Sequence, residues 1–119
     1  MLQATFNHLK DRSAYVATFD GHAAFADIGK DVVCAGASMF IFGLTQCVIQ
    51  MGESGKLQKK PNIQLGDGSV FIVAKPKPEH ELELRNYFYM AQVGMKLLQD
   101  SYPANVSLQM YETFEKKEE

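Results

Sequence analysis

Residues 32–51, VVCAGASMFIFGLTQCVIQM, form a stretch with almost no charge. A helix that is apolar on nearly every side is a central, covered one, so the rest of the chain must be arranged around it. Asp31 immediately before it suits an N-cap, because its carboxylate can accept the backbone N–H of Val33 or Cys34. Gly52 and Gly55 are expected to end the helix. Ala35, Gly36 and Ala37 near its start leave room for another backbone or a substrate to approach.

The flanking segments supply a sheet. Residues 2–8 and 13–20 are rich in Thr, Tyr, Val and Phe and are separated by Lys10-Asp11-Arg12, which reads as a hairpin turn. Residues 62–65 and 70–75 flank Gly66-Asp67-Gly68, a second hairpin signal. Pro78 fits the first turn of a second helix, with Glu79, Glu81 and Glu83 at the positive end of its dipole. Leu84, Tyr87, Phe88, Ala91, Met95 and Leu98 recur at helical spacing and define its buried stripe. Tyr102-Pro103 breaks it, residues 106–111 alternate as a last strand, and the charged tail 113–119 reads as frayed. The order ββαββαβ describes an α+β fold, an antiparallel or mixed β-sheet with two α-helices.

Bulk properties narrow the function classes. At 119 residues, 46% hydrophobic and 22% charged, the chain fits one compact domain, 1–119. A formal charge of -2 argues against nucleic acid as a partner, and the basic cluster at 56–60 reads as a solvated loop. No apolar run is expected to reach the roughly 18–20 residues that span a bilayer, and the first residues show no basic region followed by an apolar core. The expected location is therefore cytoplasmic, with no membrane partner. Cys34 and Cys47 are too few for a disulfide framework, and no CxxC or HxxxH spacing suggests zinc. On one helix they would lie about 220° apart and could not bridge.

Two residues remain for chemistry. Cys34 would be the third residue of the first helix, where backbone N–H groups lacking intrahelical partners favour a thiolate and can hold an oxyanion. His22 lies in the long irregular loop 21–30 that leads into that helix, so a fold-back of the loop would bring imidazole to sulfur. Ser38 falls one turn after Cys34 on the same face. Taken singly, a cysteine on an apolar helix is a small hydrophobe and a loop histidine an exposed polar group. Spacing alone leaves both readings open. Cys47 reads as core, His8 and His80 as surface groups, and Asp31 as a cap.

The run 21–38, GHAAFADIGKDVVCAGAS, resembles the GHAxxAxxGxDxVCAxxS signature of the ribosomal-processing cysteine protease family Prp. Length and element order agree along the whole chain, although Gly36 stands where relatives more often carry alanine. The resemblance implies a cytoplasmic, homodimeric endopeptidase that removes a short N-terminal extension, aromatic just before the cut, from a large-subunit ribosomal protein. It implies Cys34 as nucleophile and His22 as base, Asp31 and Ser38 as supporting polar positions, and Gly21 and Gly29 as glycines of a mobile loop. It implies no metal and no cofactor. A non-catalytic ribosome-associated binding module of the same fold, or a thiol-redox or acyl-transfer protein, are the alternatives.

Overall fold

The computed structural model describes residues 1–24, 26–27 and 30–112. Gly29 and the tail 113–119 lie outside the described residues. Five strands and two long helices follow the expected order: β1 (Leu2–Leu9), β2 (Ala14–Asp20), α1 (Val32–Glu53), β3 (Asn62–Gly66), β4 (Ser69–Ala74), α2 (Glu81–Ser101) and β5 (Val106–Glu112).

The two hairpins join into a single sheet of order β3-β4-β2-β1-β5, in which β5 runs parallel to β1 and every other pair is antiparallel. The sheet is mixed because α2 carries the chain back across it between β4 and β5. Alternation along β1 and β2 turns Leu2, Ala4, Phe6, Ala17 and Phe19 toward the helices, where they are buried. Phe6 is the hub: its ring meets Phe19 at 5.6 Å and Phe88 of α2 at 6.4 Å, both edge-on. Burying such a side chain contributes about 1.5–3 kcal/mol. Val33, Val48 and Met51 of α1 and Leu84 and Met95 of α2 complete the core.

Several expectations need correction. First, α1 is not covered on all sides: Met39 is 76% and Phe42 53% exposed. The described elements form two layers, so α1 has the sheet beneath it and α2 beside it, and no described element above it. By length and composition alone α1 is also apolar enough to cross a membrane, contrary to the run-length expectation, yet its inner face is packed into the core. Gly52 does not stop α1 but lies in its last turn; Ser54 caps it and Gly55, at φ +73°, turns the chain away. Gly36 faces α2 and not the cavity at the helix start: a Cβ there would rest in ordinary contact with Leu98, at 3.6 Å. Pro78 opens a single 3-10 turn, Pro78–His80, ahead of α2.

The basic segment is exposed at Gln58, Lys59 and Lys60, as a solvated loop is, but it is anchored at its start. Leu57 is buried, Lys56 Nζ reaches Glu83 at 2.9 Å, and the Gln58 amide donates to the Lys75 carbonyl at 2.8 Å. His8 is not a plain surface group either: its ring stacks on Tyr15 at 4.1 Å. Cys47 is only half-buried, at the groove between α1 and α2. Burial, and then the negative charge of Glu83, push its thiol pKa up.

Candidate active site

The site forms where β2 ends and α1 begins. Asp31 adopts the extended backbone of an N-cap; its Oδ1 accepts the Cys34 amide at 2.8 Å and its carbonyl accepts the Ala35 amide at 3.0 Å. Cys34 is thereby fixed as the third residue of α1, half-buried, as the sequence anticipated. Asp31 also ties the loop to the helix, because its Oδ2 accepts the Ala26 amide at 3.3 Å. It is more than a cap.

The start of the loop is held from three sides. Gly21, at φ +92°, donates its amide to the Gly68 carbonyl at 2.8 Å, and a Cβ at Gly21 would stand 2.3 Å from the Met1 carbonyl oxygen. No other residue type fits there. Ala23 is buried, and its carbonyl accepts from Asn105 Nδ2 at 2.9 Å. Between these anchors His22 is exposed, with its ring beside Gly68 of the β3–β4 turn. Ala24 follows at φ +55°, a left-handed conformation that costs a non-glycine residue about 1–2 kcal/mol. Strain of this kind is held by surrounding contacts and collects at functional sites.

His22 and Cys34 line one cavity of about 630 Å³. Asp31, Val32, Ala35 and Ser38 of the helix start form one wall, and Ala24, Ala26 and Lys30 of the loop form the other. Ser38 thus faces the same space as Cys34, one turn along, and Ala35 is the small residue that opens it. Among the described residues no hydrogen bond joins His22 to Cys34. The arrangement offers a nucleophilic atom, an imidazole lining the same cavity, and a mostly apolar trough for an acyl group.

A larger cleft, about 720 Å³, lies at the far end of β1 beside His8, Tyr15, Arg85 and Tyr111. None of the described residues lining it is a cysteine, serine or threonine. Tyr15 donates to Glu81, which also accepts from Arg85 at 2.9 Å. Burial, and then the Glu81 hydrogen bond, push the Tyr15 pKa up, while that same hydrogen bond pulls Glu81 down. This network clamps α2 to the sheet.

The sequence reading did not single out Asn105 or the contact between Gly68 and His22. Asn105 is 82 positions from its partner, and no local pattern signals such a bond. Gly68 carried only a turn signal.

Residues 1–107 match the family model described as "Cysteine protease Prp". The ribosomal processing cysteine protease Prp of Bacillus subtilis (strain 168) is 28% identical over 110 residues, 89% of this chain and 94% of that protein. The protein of the same name from Staphylococcus aureus (strain Mu50) is 27% identical over 89 residues, 75% of this chain and 79% of its own length. The fold is similar to a crystal structure of the S. aureus processing protease in complex with a covalently linked product peptide. The TM-score is 0.72 at 24% identity, covering 93% of this chain and all of that one.

Proposed function

Because the chain belongs to the Prp family of cysteine proteases, we propose that it is the endopeptidase that trims the N-terminal extension of a large-subunit ribosomal protein. Cys34 is its nucleophile and His22 its base. The observation that carries this reading is the shared cavity: sulfur at the capped start of α1 and imidazole on the loop that leads into it.

In this mechanism Cys34 Sγ, as thiolate, attacks the scissile carbonyl carbon and forms the S–C bond. The Cys34 amide is held by Asp31, and the first intrahelical bond is donated by Ala35. The amide of Val32, which lines the cavity, precedes that bond and is therefore the helix-start donor for the oxyanion. Collapse breaks the C–N bond as His22 gives a proton to the leaving amine. His22 then takes a proton from water, hydroxide attacks the thioester, and the Cys34 thiolate leaves. Closure of the loop over bound peptide brings imidazole to sulfur, as closing loops commonly complete a catalytic set. Ser38 borders the acyl group, and the apolar walls favour aromatic residues just before the cut.

The enzyme acts in the cytoplasm, where its substrate is made, and as a homodimer; the exposed apolar residues Met39 and Phe42 of α1 support self-association. Light scattering after gel filtration reads the dimer directly. The central test incubates the protein with a ribosomal protein precursor bearing an aromatic-rich extension and follows the products by mass spectrometry. One internal cut is expected, lost in Cys34→Ser and in His22→Ala, with Cys34→Ser still binding the peptide. Binding without a cut by the unaltered protein points to a non-catalytic module. Modification of the thiol without peptide cleavage points to redox or acyl-transfer chemistry.

A further inference from the structure

The β3–β4 turn lies outside the loop–helix unit that carries His22 and Cys34, yet it touches the loop at both of its first residues. Its carbonyl at Gly68 accepts the Gly21 amide at 2.8 Å. A Cβ built on Gly68 would stand 2.8 Å from His22 Nε2 and 3.4 Å from the adjoining ring carbons Cδ2 and Cε1. The Nε2 end of the imidazole therefore occupies the volume that any side chain at position 68 would fill. The turn has little freedom to move aside. Gly66 pairs with Ser69 across the hairpin, Ser69 pairs with Asp20 at the end of β2, and Ser69 Oγ donates to Asp20 Oδ1 at 3.2 Å.

We propose that Gly68 is a positioning residue for His22. A bare backbone at this position leaves the space in which the imidazole stands on the cavity wall, and the Gly68 carbonyl fixes Gly21, the residue before His22. The inference rests on the reading of His22 as the base. A glycine at φ +69° is also what a turn of this shape requires, so the test must separate the turn from the ring. Gly55 makes the separation possible. It has nearly the same backbone, φ +73°, with open space where its Cβ would go.

Asparagine tolerates left-handed backbone better than alanine does, so Gly68→Asn keeps the turn while filling the space. The assay measures kcat and KM on the extension-bearing peptide, with the His22 ring signals followed by NMR in the peptide-free protein. Gly68→Ala and Gly68→Asn are expected to lower kcat by about 10²-fold, the loss typical of a misplaced catalytic group, with KM unchanged and the His22 signals moved. Gly55→Ala should alter neither. On a His22→Ala background, Gly68→Asn should cost no further activity, since the two act through one group. Full kcat in folded Gly68→Asn, a rise in kcat, or unmoved ring signals would each overturn the proposal. If His22→Ala itself cleaves at the normal rate, the assignment of the base falls. If His22→Ala is dead and Gly68→Asn is normal, only the role of Gly68 falls.

Discussion

Replacing Asp31 by alanine removes the acceptor that fixes the start of α1. The side chain accepts the Cys34 amide at 2.8 Å and the Ala26 amide at 3.3 Å. Loss of an N-cap costs about 1 kcal/mol, and loss of a carboxylate beside a helix N-terminus about 0.5 kcal/mol more at low salt. An unfolding entropy of about 2.1 cal/mol/K per residue over 119 residues comes to about 0.25 kcal/mol/K. A loss of about 1.5 kcal/mol then lowers Tm by about 6 °C. Asparagine caps as well as aspartate does, so Asp31→Asn should forfeit only the charge term, about 2 °C, and that difference should fade in high salt. Differential scanning calorimetry at two salt concentrations reads both values. A domain stable by about 5–15 kcal/mol stays folded at 25 °C after either change. Any loss of peptide cleavage in Asp31→Ala at that temperature therefore reports on the site and not on unfolding. The expected order is wild type, Asp31→Asn, then Asp31→Ala, in both stability and cleavage. Identical melting of Asp31→Ala and wild type would refute the capping argument.

The two cysteines should separate by reactivity. At neutral pH, iodoacetamide followed by peptide mapping should label Cys34 first, because burial and then Glu83 hold the Cys47 thiol above its usual range; Cys47→Ser should retain cleavage. For Glu81, the Tyr15 hydrogen bond holds the carboxyl below the usual carboxylate range, so its contribution is present above the unfolded-state pKa of about 4.3 and lost as pH falls through the folded value. Glu81→Gln should thus be less stable than wild type near neutrality and converge with it in acid, as urea titrations at several pH values would report; a gap that widens in acid contradicts the assignment. Tyr15 has the opposite dependence: its pKa is raised, chiefly by burial, so the stability it supplies is present below about pH 10 and disappears as pH rises through the folded value. A glycine pair tests the packing of the helices. Gly43 of α1 has open space at its Cβ position, so Gly43→Ala should stabilise by about 0.8–1 kcal/mol. At Gly94 of α2 a Cβ would stand 2.4 Å from the Phe40 ring, so Gly94→Ala should destabilise by about 1–3 kcal/mol through overpacking.

Some features were readable because they depend on neighbours in sequence. A capping aspartate before an apolar run gave the start of α1 to the residue, and with it the placement of Cys34, because a cap acts over three positions. Alternation gave the strands, and the 3.6-residue stripe gave α2, whose Leu84, Phe88, Ala91 and Met95 are indeed buried. The run from Gly21 to Ser38 gave the family. Composition misled where exposure depends on what packs from outside. An uncharged helix read as covered, yet Met39 and Phe42 face outward because the described elements form only two layers.

The chain's own order of residues thus determined its elements, its helix cap and its candidate nucleophile, since each is set within a few bonds of backbone. Only the folded arrangement decided how the two hairpins merge into one mixed sheet. That merger lays the β3–β4 turn against Gly21 and His22, and it lets Asn105 reach Ala23 from the start of β5. These contacts join positions tens of residues apart. They arise from strand register and core packing, which no local pattern encodes, and they set where the imidazole stands relative to the sulfur.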